Sequence, residues 1–361
     1  MDISCGDQCV AGQAGRLVSL ADAVGLVLAH DLTEIVPGHK KGPAFKKGHV
    51  VTPADLEHLA RLGKNHLYVL EIGSEEMHEN EAAEIMAAAL AGPGVAKAGP
   101  PSEGKITLVA ARDGLFDLDP ERLKAFNLLG EVACATIHRR TPVKRGQALA
   151  GTRAIPLVVG RRVVAQAAEL AKQEGGLLIV RPLKPLRAGV VVTGNEVASG
   201  LIEDRFAPII QAKLTALGGQ VTGVEIAPDD RAAVAGAIRS LVLRGAQMII
   251  TTAGMSVDPD DLTRLAIADA GGRDLLYGTP VLPGNMFLVG WLDGPAGEIP
   301  ILGVPACALF HQATVLDLIL PRVLAGERLT REKLAEMGHG GYCQNCVDGC
   351  RFPVCAFGRG A

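Results

Sequence analysis

From residue 187 onward the chain alternates short, continuous apolar runs with segments long enough to be helices. AGVVVTG precedes DRFAPIIQAKLTALGG, VTGVEIA precedes DDRAAVAGAIRSLVLRG, and AQMIITTAG precedes DDLTRLAIADAG. A strand that is apolar at consecutive positions must be covered on both faces, and a helix between strands supplies the crossover that parallel pairing needs. The pattern predicts an α/β fold over 187–328, with a mostly parallel sheet and helices on both faces. YGTPVLPGNMFLVGWLDG, with its Pro-Gly-Asn turn, reads as an inserted hairpin, IPILGVPA as the last strand, and ACALFHQATVLDLILPRVLAG as a long buried helix.

Upstream, residues 16–186 read as a smaller α+β region behind a short lead, 1–15. LVSLADAVGLVLAHDL has apolar residues at helical spacing, and EEMHENEAAEIMAAALAG reads as an Ala-rich helix. VTPADLEHLARLG opens with Thr52 as N-cap, Pro53 at the first helical position and Asp55 placed to close a capping box. Residues 105–160 carry short apolar runs between polar turns, and the proline-bearing RPLKPLRAG marks a join near 186. After Thr330, a possible helix cap, the chain enters a cysteine-rich tail, 329–361.

A chain of 361 residues with 36 basic and 39 acidic side chains has no global electrostatic footprint for nucleic acid. The first fifteen residues lack a basic segment followed by an apolar one, so a cytoplasmic location is expected. The longest apolar stretch is interrupted by His311, Gln312, Asp317, Pro321 and Arg322, which excludes it as a membrane span.

Ligands of open parallel sheets sit outside the carboxyl ends of the strands. Three such ends carry small residues beside polar ones. The first offers Thr193, Gly194, Asn195 and Glu196, with Asp204 ahead of the next helix. Another offers Thr252, Gly254 and Ser256, and the last Gly303 and Pro305. Pro283 and Gly284 lie in the hairpin turn. Asp258, Asp260 and Asp261 crowd a segment whose small-residue turn and following helix favour an anion, which is unexpected unless a cation stands between. Asp204, Asp229, Asp230 and Asp261 are equally placed to cap helices.

In order along the chain, TGNEVASGLIED, PDD at 228–230, TTAGMSVDPDDLT, LPGN at 282–285 and GVPA at 303–306 resemble the molybdopterin-binding domain shared by enzymes of molybdenum cofactor biosynthesis. LADAVGLVLAHDLTEIVP and KKGHVVTPADLEHLARLG resemble weaker landmarks of a molybdotransferase N-terminal region. The resemblance implies binding of molybdopterin or adenylyl-molybdopterin, with Gly254 and Ser256 toward phosphate. It also implies Mg2+ held by Asp258 and the catalytic Asp261. Molybdate insertion with hydrolysis of the adenylyl diphosphate is the expected transferase activity, and a homo-oligomer the expected assembly.

The chain departs from the family pattern at Ala253, where a glycine is usual, at Ala306-Cys307, and at PGHKKGPAFKKGH, which replaces two aspartate-bearing elements. That last segment brings His39, Lys40, Lys41, Lys46, Lys47 and His49 together, as a solvated loop or a phosphate attractor. The same choice applies to His138-Arg139-Arg140.

GYCQNCVDGCRFPVC spaces Cys343, Cys346, Cys350 and Cys355 as C-x2-C-x3-C-x4-C, which predicts a four-thiolate site for Zn2+ or a [4Fe-4S] cluster. Cys5 and Cys9 form a weaker pair. Two rival functions stand beside the transferase: a non-catalytic cofactor carrier whose tail docks a molybdenum or tungsten oxidoreductase, and a nucleotide pyrophosphatase on the same domain.

Overall fold

A computed structural model describes residues 16–36, 40–70, 72–255 and 262–360 of the chain. The lead, including Cys5 and Cys9, and His39 lie outside the described residues, as do Ser256, Asp258, Asp260 and Asp261.

The six-stranded sheet holds β1 (Arg187–Thr193), β2 (Gln220–Ala227), β3 (Met248–Thr252), β4 (Arg273–Tyr277), β5 (Leu288–Gly294) and β6 (Gly297–Val304). Their spatial order is β2-β1-β3-β6-β5-β4. Neighbours from β2 to β6 pair in parallel, whereas β6, β5 and β4 pair antiparallel. The expectation of a mostly parallel sheet is therefore corrected. Across the described residues eleven strand pairings are antiparallel and three are parallel. The reason lies in the connections. Parallel neighbours need a crossover, and helices supply it on the way from β1 to β2 and from β2 to β3; the short turn between β5 and β6 and the longer loop between β4 and β5 return the chain alongside itself.

Consecutive valines of β1 face opposite ways. Val190 and Val192 pack with Phe206, Ile210 and Leu214 of helix Phe206–Ala216 and with Leu316, Ile319 and Leu320 of helix Val315–Leu324. Val191 packs with Val234, Ile238 and Leu241 of helix Arg231–Leu243 and with Ala266 and Ile267 of helix Thr263–Asp269. Each such aliphatic side chain, fully buried, contributes about 1.5–3 kcal/mol. Gly189 and Gly223 lie under Leu241, where a Cβ would fall 2.9 Å and 2.8 Å from its side chain, so the helix approaches the sheet closely.

Upstream, the chain folds into small antiparallel sheets around two further cores, one built from residues 18–69 and one from 77–180. The helix expected over LVSLADAVGLVLAHDL is absent. Arg16–Ser19 and Val27–Leu28 are instead strands flanking His66–Leu70, and Gly25 takes a left-handed φ of 84° that a helix does not accommodate. Thr52 does meet Asp55, its backbone N–H and hydroxyl donating to Oδ2 at 2.8 and 2.7 Å, although the helix runs only over Asp55–Arg61. The long apolar stretch divides into a 3-10 turn, Ala306–Leu309, and helix Val315–Leu324, which opens on a Thr314/Asp317 capping box. No helix among the described residues is long and apolar enough to cross a membrane.

That helix carries a buried ion pair. Arg322, 1% exposed, donates from Nε and one Nη to the two carboxylate oxygens of Glu327 at 2.8 and 2.9 Å, and Lys333 adds a contact at 3.1 Å. Burial alone raises the Glu327 pKa, but the hydrogen bonds and charges of Arg322 and Lys333 outweigh it and hold the carboxyl down at about 2. With the folded value below the ordinary 4.5, the stabilisation is complete above about pH 4.5 and drains away as pH falls toward 2. Its size is on the order of 3 kcal/mol. Glu327→Gln is expected to destabilise the protein in urea unfolding at pH 7, with the gap to wild type closing on acidification through this window. A gap of constant size from pH 7 to pH 2.5 would contradict the assignment.

Candidate active site at the carboxyl edge of the six-stranded sheet

The chain leaves β1 toward one face of the sheet and leaves β3 toward the other, because the helices that follow belong to opposite cores. Adjacent strands whose exits diverge open a crevice between their carboxyl ends. Thr193 and Thr252 stand there, paired through the Val192–Thr252 register and 3% and 0% exposed.

Thr193 Oγ1 donates to the Thr252 carbonyl at 2.8 Å and lies 3.4 Å from Thr263 Oγ1. Among the described residues the Thr252 hydroxyl has no partner, an exception among buried polar groups. Ala253 and Gly254 then both take left-handed backbone, with φ of 64° and 58°. The alanine adopts the conformation that glycine normally supplies, held by its N–H donating to the Val304 carbonyl at 3.0 Å. A Cβ on Gly254 would sit 2.2 Å from Thr263 Oγ1 and 3.3 Å from Thr193 Oγ1. Nothing larger than hydrogen fits, so backbone and hydroxyls face one another without intervening side chains.

The neighbouring loops are tied in by their own polar groups. Asn195 N–H donates to Asp229 Oδ2 at 3.0 Å, and Asp229 N–H returns a bond to Asn195 Oδ1 at 3.1 Å. Asp230 caps helix Arg231–Leu243 through Ala233 N–H at 2.7 Å. Asp204 caps helix Phe206–Ala216, accepting from Phe206 N–H at 2.7 Å. Gly194, at φ 146°, turns the chain out of β1, and Glu196 is exposed at the rim. A cavity of about 370 Å³ opens beside them, lined by Val197, Ile202, Glu203, Asp204, Phe206 and Leu309.

On the other side, a Cβ on Gly303 would strike Met255 at 2.6 Å, and one on Gly284 would strike Val315 at 2.4 Å. Pro305 leads into the 3-10 turn that carries Cys307, whose thiol pKa is raised by burial. The Pro283 carbonyl accepts from Val315 N–H at 3.2 Å, so the hairpin turn is fastened to a helix rather than open toward the crevice.

Two residues not singled out in the sequence belong to this edge. Tyr277 OH donates to the Met255 carbonyl at 2.6 Å and lies 3.0 Å from Met286 Sδ, while the Arg264 guanidinium stacks 4.8 Å above the Tyr277 ring. An aromatic with a polar tip directly after two leucines, at the carboxyl end of its strand, was the available signal.

The metal expectations fare differently. Among the described residues no group of three or more His, Cys, Asp or Glu is placed to hold a metal ion. The four-thiolate site for Zn2+ or [4Fe-4S] is therefore corrected: Cys343 and Cys355 are half-buried against the core, whereas Cys346 and Cys350 are exposed. The tail packs two of the four cysteines against the core and leaves two exposed, so the close spacing does not gather them on one centre. The Mg2+ expectation rests on Asp258 and Asp261, outside the described residues. In the basic segment near 46, Lys46 pairs with Glu103, Lys47 N–H donates to Asp31 at 2.6 Å and His49 meets Asp55 at 2.8 Å, so those groups stay engaged within the chain.

Residues 189–325 match the family described as "Probable molybdopterin binding domain", and residues 17–71 match a domain of unknown function, DUF8806. A CinA-like protein of Mycobacterium sp. (strain MCS) is 38% identical over 93 residues, covering 26% of this chain and 22% of that protein. A CinA-like protein of Mycobacterium tuberculosis (strain H37Rv) is 34% identical over 90 residues, 25% of this chain and 21% of its own length. The chain thus spans about a fifth of the length of these curated relatives. Among solved structures, the tungsten cofactor synthesizing protein MoaB from Pyrococcus furiosus is similar at 20% identity and a TM-score of 0.32, over 40% of this chain and 99% of that one. By the family match over residues 189–325, a molybdopterin-biosynthesis-like domain is present in the chain, and these curated relatives carry the name CinA-like protein, not molybdotransferase.

The crevice geometry sets an asymmetric expectation for two adjacent positions. Gly254→Ala is expected to cost about 1–3 kcal/mol, from left-handed strain and the collision with Thr263. Ala253→Gly relieves about 1 kcal/mol of strain against a comparable entropy cost, so it stays within about 1 kcal/mol of neutral. Equal destabilisation of the two variants in urea unfolding would contradict this geometry.

Proposed function

We propose that the crevice between the carboxyl ends of β1 and β3 binds molybdopterin or its adenylylated form, and that the protein inserts molybdate while the adenylyl diphosphate is hydrolysed. The observation that carries this reading is the fully buried Thr252 hydroxyl, without a partner among the described residues, beside Gly254 at a divergent strand end inside the segment matched by the molybdopterin-binding family. Backbone that approaches without side chains, next to hydroxyl donors, suits a phosphate-bearing ligand. In this reading Thr193, Thr252 and Gly254 contact the ligand, and Gly194, Asn195 and Glu196 border it. Asp204 holds one loop by its cap, and Gly303 and Pro305 form the opposite wall. Ser256 extends the phosphate contacts, while Asp258 and Asp261 supply the carboxylates for hydrolysis. We further propose that 187–328 is the binding unit, that 16–186 and the tail 329–361 are attached to it, and that the protein acts in the cytoplasm.

A carrier role is favoured by one specific observation. The tail exposes Tyr342 at 71%, Val347 at 99% and Val354 at 89%, apolar surface of the kind that docks a partner. The two readings separate in one assay: anaerobic incubation with adenylylated molybdopterin and molybdate, following AMP release and molybdenum retained on the pterin. A transferase releases AMP in step with insertion, and Asp261→Asn lowers that release by roughly 100-fold. Tight binding without AMP release supports the carrier. Release unchanged in Asp261→Asn would remove Asp261 from the chemistry, and failure to bind the pterin at all would end both readings.

A further inference from the structure

The turn before Thr141 sets His138, Arg139 and Arg140 against Arg359 of the tail. The Arg139 and Arg140 side chains are only 19% and 11% exposed, and Arg359 is 3% exposed. One carboxylate serves the first two: Glu336 Oε2 accepts from Arg139 at 3.2 Å and from Arg140 at 2.9 Å. Asp117, the next acid whose charge reaches Arg139, is paired with Arg181 at 3.0 Å. Arg359 meets no carboxylate among the described residues; it donates to the Arg140 carbonyl at 2.5 Å and the Pro353 carbonyl at 2.9 Å, and its guanidinium lies 5.3 Å from the Phe352 ring centre.

Among the described residues these three guanidinium groups thus have one carboxylate between them, and hydrogen-bonding capacity is left over. Arg139 Nε, Arg140 Nη1 and Arg359 Nε are buried without a partner among the described residues. Unpaired buried guanidinium groups cost several kcal/mol unless something meets them. Burial lowers the Arg359 pKa to about 10 and lowers that of Arg139, yet guanidinium ions with values this high remain charged at neutral pH. Arg139 and Arg359 line a common cavity of about 160 Å³, together with Leu118, Pro120, Ile137 and the exposed His138, and the cavity is open to solvent. That is the volume of about five water molecules, enough for a tetrahedral oxyanion with some of its hydration.

We propose that this cavity is an anion site that takes a doubly charged tetrahedral oxyanion of the phosphate type, gripped by Arg139 and Arg359, flanked by Arg140 and bordered by His138. Guanidinium forks match two oxygens of such an ion, and the fixed bonds of Arg359 to two carbonyls hold its fork in place before the ion arrives. Glu336 competes for Arg139 and for the flanking Arg140 and so limits affinity. The site lies outside the β1/β3 crevice and stands or falls independently of the pterin reading.

The test is calorimetric titration of the full chain with inorganic phosphate at pH 7.5, at constant ionic strength set by chloride, with sulfate and molybdate as parallel probes and a phosphomonoester to distinguish free ion from ester. Wild type is expected to bind phosphate with saturation, and Arg139→Gln to weaken it at least 10-fold. Glu336→Gln is expected to tighten it several-fold, because both guanidinium groups lose their competitor. A structural role for the cluster does not produce opposite signs in these two variants. The Arg359→Lys variant, if it folds, also binds more weakly. Phosphate heats equal to those of chloride, or binding unchanged in both Arg139→Gln and Glu336→Gln, would overturn the proposal. Preference for the ester over free phosphate would assign the site to an organic phosphate, and the reverse to the ion itself.

Discussion

The burial of β1 on both faces is the constraint on which the rest of the six-stranded sheet depends. Val190 and Val192 are covered by one pair of helices and Val191 by the other, so each helix must cross the sheet in a direction set by the strand it follows. Divergent exits from β1 and β3 follow from that covering, and the crevice between Thr193 and Thr252 follows from the divergence. The candidate site is a consequence of how the sheet is packed rather than a feature added to it. Its polarity is modest, which suits a site whose contacts come from backbone and hydroxyl groups.

The sequence made much of this edge legible and left other parts unreadable, for identifiable reasons. Continuous Val and Ile runs identified β1 and β3 because doubly buried strands have no polar face to disguise them. The same reasoning overestimated parallel pairing, since an apolar run such as that of β5 is equally compatible with an antiparallel partner, and only the turn at Gly294–Gly297 reveals which. The helix expected over 17–32 failed because apolar spacing in a short segment fits several periods, and pairing with His66–Leu70 decided among them. For the cysteines, spacing along the chain carried no information about which way each thiol points, and two of the four turn toward the core.

At the site itself, small residues were informative and polar ones ambiguous. Gly254 was legible because only glycine meets its combination of left-handed backbone and close hydroxyl neighbours. Asp204 and Asp230 read equally well as ligands or caps, and the structure uses both as caps. Ala253 shows a residue type overridden by its surroundings: its bond to Val304 holds a conformation that its own side chain disfavours. Strain of this kind persists where neighbouring packing over-determines the backbone, and it accumulates at functional positions. Tyr277 and Arg264 escaped notice because their roles come from a contact between β4 and the helix Thr263–Asp269, which spacing along the chain does not show.

The central claim is that the β1/β3 crevice, and not the tail or the upstream sheets, receives the pterin. Amide hydrogen exchange of the full chain, measured anaerobically with and without adenylylated molybdopterin, tests it most directly. The account predicts new protection at 193–196, 252–255 and 303–307, with the sheets of residues 16–181 unchanged. Protection confined to the tail or to the upstream sheets would contradict it.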